Sequence, residues 1–270
     1  MTIGATLQRL VLSSPQVESM ASFYAQAFDY DSVIEGDEAR CEGSRRSLWI
    51  RRGAANQLLE SHFAFPDAGA LDRYEDLLES RGVRFERIGT VVWVRDPDGR
   101  KLRFEAPSSP STAGIADPRE ARLQHYAVRT PEPRILVDHY ANALGFTVSD
   151  LVLDEKGDLT AAFLRTDAHH HSLAIFRAPE RRFDHFSCET CDWNTLRDWA
   201  DHLAGESIRL HWGVGRHGPG NDTFFMVLDP DGNLAEISSD LELCAEDRAV
   251  GTWKHAMETL NQWGVAIMRS

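Results

Sequence analysis

The chain repeats itself. Residues 7–28, LQRLVLSSPQVESMASFYAQAF, and residues 123–144, LQHYAVRTPEPRILVDHYANAL, read as one unit written twice. Each gives a short alternating strand, a turn containing proline, then an amphipathic helix with aromatics near its end. DPDGRKLRFE (96–105) repeats as DPDGNLAEIS (229–238), and ESHFAF (60–65) as FDHFSCE (183–189). DPDG is a tight turn, because Pro presets one φ and Gly accepts a positive one, and here it joins two β-rich runs. The third pair is followed in each copy by a helical run, Asp72–Arg81 and Trp193–Ala204.

This order predicts an α+β fold of four βαβββ modules, near 5–52, 57–107, 121–178 and 181–240. They pair into two domains, each a curved mixed sheet around a central cavity. We place the first domain at 1–110 and the second at 118–240. The Pro-, Ser- and Gly-rich stretch Ala106–Asp117 is the expected linker. Residues 241–270 form a tail, in which WKHAMETLNQWG reads as a short helix packing Trp253 and Trp263 back onto a domain.

The duplication is an internal control, since halves that share a fold are free to differ where only one does chemistry. Arg9 stands where His125 stands, His62 matches His185, and Arg103 matches Glu236. The second half therefore holds His, His and Glu, and the first Arg, His and Arg, which cannot hold a divalent cation. Two histidines and a carboxylate on adjacent strands make a facial triad, which leaves coordination positions open and suits non-haem Fe(II). Strand alternation puts Leu123, His125 and Ala127 on one face, and Leu234, Glu236 and Ser238 on another strand's face. An inward carboxylate without a cation would cost several kcal/mol, roughly, so Glu236 asks for one. His171, in HHHSLAIF, and His217, in the Gly/Pro loop GRHGPGN, lie 14 and 19 residues before His185 and Glu236.

With 29 basic against 42 acidic residues, the net charge of −13 repels phosphate backbones and anionic lipid, so neither nucleic acid nor membrane is an expected partner. The opening MTIGATLQRLVLSSP lacks a basic start and a long apolar stretch, and a cytoplasmic location is expected. Cys188 and Cys191 form a lone CxxC at a strand end, read as two incidental thiols.

LQHYAV with His125, FDHFSCE with His185, GRHGPGN with His217 and FFMVLDPDGNLAEI with Glu236 together resemble the type I extradiol ring-cleavage dioxygenases of the vicinal-oxygen-chelate superfamily. The resemblance runs the length of the chain and implies a degenerate first domain and a metal-bearing second. It implies His125, His185 and Glu236 as ligands of Fe(II), or of Mn(II) as in some relatives. His171 falls on the acid–base partner beside the O2 position, and His217 on the histidine near the catecholate oxygen. A catecholic substrate, O2 and a homo-oligomer follow. In many relatives a tyrosine lies 10 residues before the ligand Glu; here that position is Met226, which offers no comparable donor. Phe163, Phe176, Phe224, Met226, Trp212 and Tyr140 are the expected pocket wall, apolar and aromatic as a ring substrate requires. Two alternatives stand beside this reading: a glyoxalase-type isomerase on the same scaffold, or a metal-free protein that sequesters a small molecule.

Overall fold

The computed structural model describes residues 2–106 and 119–268, so the expected linker lies, from residue 107 onward, outside the described residues. In the first half the elements are β1 (Thr6–Ser14), α1 (Val17–Phe28), β2 (Asp31–Glu35), β3 (Glu38–Gly43), β4 (Arg46–Arg52), β5 (Gln57–Ala64), α2 (Ala68–Ser80), β6 (Glu86–Ile88), β7 (Val91–Arg95) and β8 (Lys101–Glu105). The second half follows the same order. It contains β9 (Ala121–Thr130), α3 (Pro133–Asp138, running on as a π-helical turn to Ala143), β10 (Thr147–Leu153), β11 (Leu159–Arg165), β12 (Leu173–Arg177), β13 (Arg182–Thr190), α4 (Trp193–Gly205), β14 (Trp212–Arg216), β15 (Thr223–Leu228) and β16 (Leu234–Ser239). Four βαβββ modules are thus present, as the repeats predict. The tail differs from expectation: it begins as a strand, β17 (Gly251–Lys254), and only then makes the one-turn helix α5 (Met257–Leu260).

Each half makes one mixed sheet. The first runs β2-β3-β4-β1-β5-β8-β7-β6, the second β14-β15-β16-β13-β9-β12-β11-β10-β17. At the centre of each, two strands that open modules pair antiparallel, β1 with β5 and β9 with β13, and each also pairs in parallel with the last strand of its own module. The module helices start alike. Asp67 accepts a hydrogen bond from the Ala70 N–H at 2.8 Å, and Asp192 from the Thr195 N–H at 2.8 Å, each satisfying a backbone donor left open at the first turn.

The large core is shared by both halves, with Tyr24 and Phe28 of α1 against Phe186 of β13, and Phe63 of β5 against Tyr126 of β9. The halves also exchange tyrosines. Tyr24 donates its hydroxyl to Asp229 of the second DPDG turn at 2.9 Å, and Tyr140 donates to Asp96 of the first at 3.1 Å. Tyr140 is therefore a strut between the halves, not a pocket wall: it projects from the π-helical turn into the shared core, where the buried carboxylate of Asp96 accepts its hydrogen bond. Two smaller clusters sit apart from this core, Ala127, Val152, Ala161, Phe163, Ala174 and Phe176 in one and Trp212, Phe224, Met226, Leu234 and Ala266 in the other. Trp253 packs against the first cluster. Trp263 does not return to a core; it is 52% exposed and meets the edge of Trp193.

Cys188 is buried and Cys191 exposed, and both thiols are free. Burial pushes the Cys188 thiol up to about 11, the opposite of what a reactive thiol requires.

Candidate metal centre

His125 and His185 are aimed by irregularities in the central strand pair. The ladder between β9 and β13 slips twice. Ser187 pairs with His125 but Cys188 with Leu123, so Gln124 is an extra residue, and Asp184 is extra between Phe183 and His185. Both bulges fall one residue before a histidine, and in both the extra side chain orients it. His125 Nδ1 meets Gln124 Oε1, and His185 Nδ1 lies 2.6 Å from Asp184 Oδ1. An amide oxygen and a carboxylate only accept, so each histidine carries its proton on Nδ1 and keeps a lone pair on Nε2. The two Nε2 atoms converge to 3.1 Å, the arrangement of two ligands to one cation. Gln124 also donates to the carbonyl of His171, and Asp184 is held by Arg129. The bulge corrects one expectation: Leu123 does not share a face with His125 but turns into the shared core.

Glu236, on β16 opposite Ser187, is fully buried, and among the described residues neither of its carboxylate oxygens has a hydrogen-bond partner. His217 Nε2 lies 3.7 Å and His125 Nε2 4.0 Å from its oxygens. One ligand atom from each of His125, His185 and Glu236 lies within 4.8 Å of the others. An orphaned carboxylate facing two bare imidazole nitrogens is unfavourable alone and fits a divalent cation.

The strand register corrects the repeat alignment. β1 slips at Gln8 as β9 does at Gln124, so Arg9 and His125 do correspond. Val11 pairs with Glu60 where Ala127 pairs with His185. The counterpart of His185 is therefore Glu60, and His62 corresponds to Ser187, paired with Arg103 as Ser187 pairs with Glu236. The capping Asp67 and Asp192 keep the same offset. Where the second half has His, His and Glu, the first has Arg9, Glu60 and Arg103. Glu60 is engaged by Arg51 at 2.9 Å and by His62 at 2.9 Å. The two groups that could hold a metal ion among the described residues, His125 with His185 and Glu236, and His217 with Asp222 and Glu236, both lie in the second half.

A cavity of about 30 Å³ opens beside His125 and His185, lined also by Phe163, His171, Ala174, Phe176, Trp212, His217, Pro219, Met226, Thr259 and Leu260. Four of the expected wall residues are among these. Phe224 is one layer back, stacked on the His217 ring at 3.7 Å between centroids. Thr259 and Leu260 went unforeseen, since nothing in the repeat places the tail over the site. A larger cleft of about 840 Å³, lined by Arg84, Trp93 and Lys101 of the first half and by His139 and Ala143 of the second, shares no residue with this cavity and, among the described residues, none with a metal-ligand group.

His217 donates Nδ1–H to the Leu260 carbonyl at 2.6 Å, which turns Nε2 toward Glu236. Burial pulls its pKa down, but the nearby Asp222 and Glu236 outweigh burial and the net shift is upward. His171 is 4.3 Å from His125 between ring centroids. Burial, reinforced by His170, His217 and His185, holds it well below the ordinary histidine range. The two histidines that line the cavity are thus shifted in opposite directions, His171 down and His217 up. Sequence reasoning missed Gln124, Asp184 and Asp222; the dipeptides Gln-His and Asp-His before the ligands are the only local signal for the first two.

Residues 122–237 match the Glyoxalase/Bleomycin resistance protein/Dioxygenase superfamily. The chain is 31% identical over 199 residues to metapyrocatechase 2 of Cupriavidus necator, a stretch that covers 64% of this chain and 60% of that protein. It is 24% identical over 258 residues to biphenyl-2,3-diol 1,2-dioxygenase of Paraburkholderia xenovorans, covering 87% and 85%. Its fold is similar to that of the Mn(II)-bound glyoxalase from Novosphingobium aromaticivorans, with a TM-score of 0.82 at 21% identity over 99% of this chain and 93% of that one.

Proposed function

We propose that this chain, whose residues 122–237 form a domain of the Glyoxalase/Bleomycin resistance protein/Dioxygenase superfamily, opens the ring of a catechol with O2 as an Fe(II)-dependent extradiol dioxygenase. The observation that carries the proposal is the convergence of His125, His185 and Glu236 beside an aromatic-walled cavity that His171 and His217 also line. The likeness to two ring-cleaving dioxygenases supports it.

His125, His185 and Glu236 would hold the iron, which supplies a site where a catechol and O2 can meet with the entropic cost of encounter already met. His217, its Nδ1–H held by the Leu260 carbonyl and its Nε2 beside Glu236, would hydrogen-bond a catechol oxygen. With methionine at 226, that hydrogen bond falls to His217 alone on this side of the cavity. His171, its ring held neutral, would accept a proton released within the pocket and return it as the ring opens. Phe163, Phe176, Trp212 and Leu260 exclude water and stack on the ring. Neither lysine nor arginine lines the cavity among the described residues, so the ring substituents it suits are uncharged. About 30 Å³ is one water's share of liquid volume, so Leu260 and Thr259 must give way when a ring enters.

Anaerobic loading with Fe(II), followed by a panel of catechols monitored with an oxygen electrode and by absorbance, tests the proposal. We expect O2 uptake matched by a yellow ring-opened product, fastest for catechols with neutral alkyl or aryl groups. Metal-dependent isomerisation of a thiol adduct without O2 uptake would replace this reading with the glyoxalase one, and catechol binding unaffected by metal would replace it with sequestration.

A further inference from the structure

The turn between β14 and β15 brings together ligand groups that the three-residue centre does not use. It runs from His217 to Asp222 through Gly218, Pro219, Gly220 and Asn221. The His217 N–H donates to the Asp222 carbonyl at 2.9 Å, and the Asn221 N–H to the Gly218 carbonyl at 3.2 Å. Gly220 and Asn221 take φ of 81° and 55°, the left-handed backbone that lets so short a turn close. His217 and Asp222 are thereby set side by side. Thr223, the next residue, pairs with Ser239 of β16, so the turn is carried on the strand beside that of Glu236.

Asp222 is fully buried, yet neither of its carboxylate oxygens has a hydrogen-bond partner among the described residues. A carboxylate is costly to bury in that state, and a cation removes the cost. An ion held by His125, His185 and Glu236 does not serve, because Asp222 is not in that group. One ligand atom from each of His217, Asp222 and Glu236 does lie within 4.8 Å of the others. His217 spends Nδ1 on the Leu260 carbonyl at 2.6 Å, so Nε2 is the nitrogen it has to offer. Glu236 belongs to both groups, and its oxygens are divided between them. Oε1 is 4.0 Å from His125 Nε2, and Oε2 is 3.7 Å from His217 Nε2. A carboxylate so placed can give one oxygen to each of two ions.

We propose that His217 Nε2, Asp222 and Glu236 form a second divalent-cation site, with Glu236 bridging it to the first. One imidazole and two carboxylates suit Mn(II), Fe(II) or Zn(II). The second site has one imidazole where the first has two, and it fills against the charge of an ion already bound, so it is the weaker. In the dioxygenase reading, its filling takes His217 Nε2 away from the catechol oxygen, and metal in excess restrains the reaction. That consequence rests on the dioxygenase reading; the site itself does not.

The test is titration of the metal-free full chain with Mn(II), followed by electron paramagnetic resonance. At room temperature the free-ion signal counts the ions taken up, and in frozen solution the spectrum separates isolated ions from an exchange-coupled pair. We expect the wild type to take up two ions, the second more weakly, with the coupled spectrum appearing as the second binds. Asp222→Asn keeps the shape of the side chain and removes its charge. It should take up one ion and give only the isolated spectrum, and His217→Gln should do the same. The ion that each variant keeps reports that its first centre is intact. Uptake of a single ion by the wild type, two ions that remain isolated, or a coupled pair surviving in Asp222→Asn would each overturn the inference. A coupled pair in a chain that takes up no O2 with Fe(II) and a catechol would uphold it and sink the dioxygenase reading instead.

Discussion

Replacing Glu236 with methionine separates the cost of the metal centre from its gain. The carboxylate is fully buried with both oxygens unpartnered, in a strand whose other side chains pack well. Methionine has nearly the same length and no charge to desolvate. Relieving a buried unsatisfied group is worth about 2 kcal/mol, and a chain of this size moves about 2–4 °C in Tm per kcal/mol. In EDTA, then, Glu236→Met should melt about 4–8 °C above the wild type. A divalent ion at a hundredfold excess over its Kd stabilises by about 2.7 kcal/mol, or about 5–10 °C. Mn(II) should raise the wild-type Tm by that amount and leave the variant unmoved, removing or reversing the variant's advantage. Calorimetry of both proteins in EDTA and in Mn(II) reads all four numbers. A variant less stable than wild type in EDTA would mean that Glu236 has a structural partner. An equal response to Mn(II) would mean that it is not a ligand, and either result refutes the argument.

Gln124→Ala and Asp184→Ala should each weaken metal binding by about 10–100-fold while the fold persists, because the bulge side chains set which histidine nitrogen is bare; titration against a chelator measures this. Tyr24→Phe and Tyr140→Phe should each cost about 1 kcal/mol in urea denaturation, a lost hydrogen bond whose acceptor keeps other donors, and neither should change metal affinity. Glu60 is held down to about 2, chiefly by its hydrogen bond from His62 and further by Arg51, which outweigh its burial. A lowered folded-state pKa stabilises above the ordinary value of 4.5 and loses that contribution as pH falls toward 2. The stability gap between wild type and Glu60→Gln should accordingly be full near neutrality, shrink below about pH 4.5 and vanish near pH 2; a gap constant across that range would contradict it.

Much of the molecule was legible before any coordinate, because a duplicated chain states its element order twice. The four modules, the helices after β5 and β13, and the gathering of His125, His185 and Glu236 follow from repeats read against each other, although α2 begins at Ala68 and not at Asp72. What was not legible arises where a single residue breaks the periodicity on which such reading depends. A bulge adds one residue to a strand without any sign in hydrophobic alternation, so the face of Leu123 was misread and His185 was matched to His62 rather than Glu60. Tyr140 was placed in the pocket because an aromatic at helical spacing carries no information about which of two faces it meets. Its equivalence to Tyr24 was visible in the repeat, yet the exchange of hydroxyls between halves needed both halves in space. The tail was opaque for a related reason: it has no counterpart in the first half, and nothing in its sequence says that Thr259 and Leu260 cover a cavity or that Trp253 and Arg248 clamp Asp150. The corrected register makes the contrast between halves sharper than the alignment did. The first half does not keep one histidine of a decayed ligand set. It sets Arg9, Glu60 and Arg103 at the corresponding positions and holds Glu60 with Arg51 and His62, so charge pairing there does what a cation is asked to do in the second.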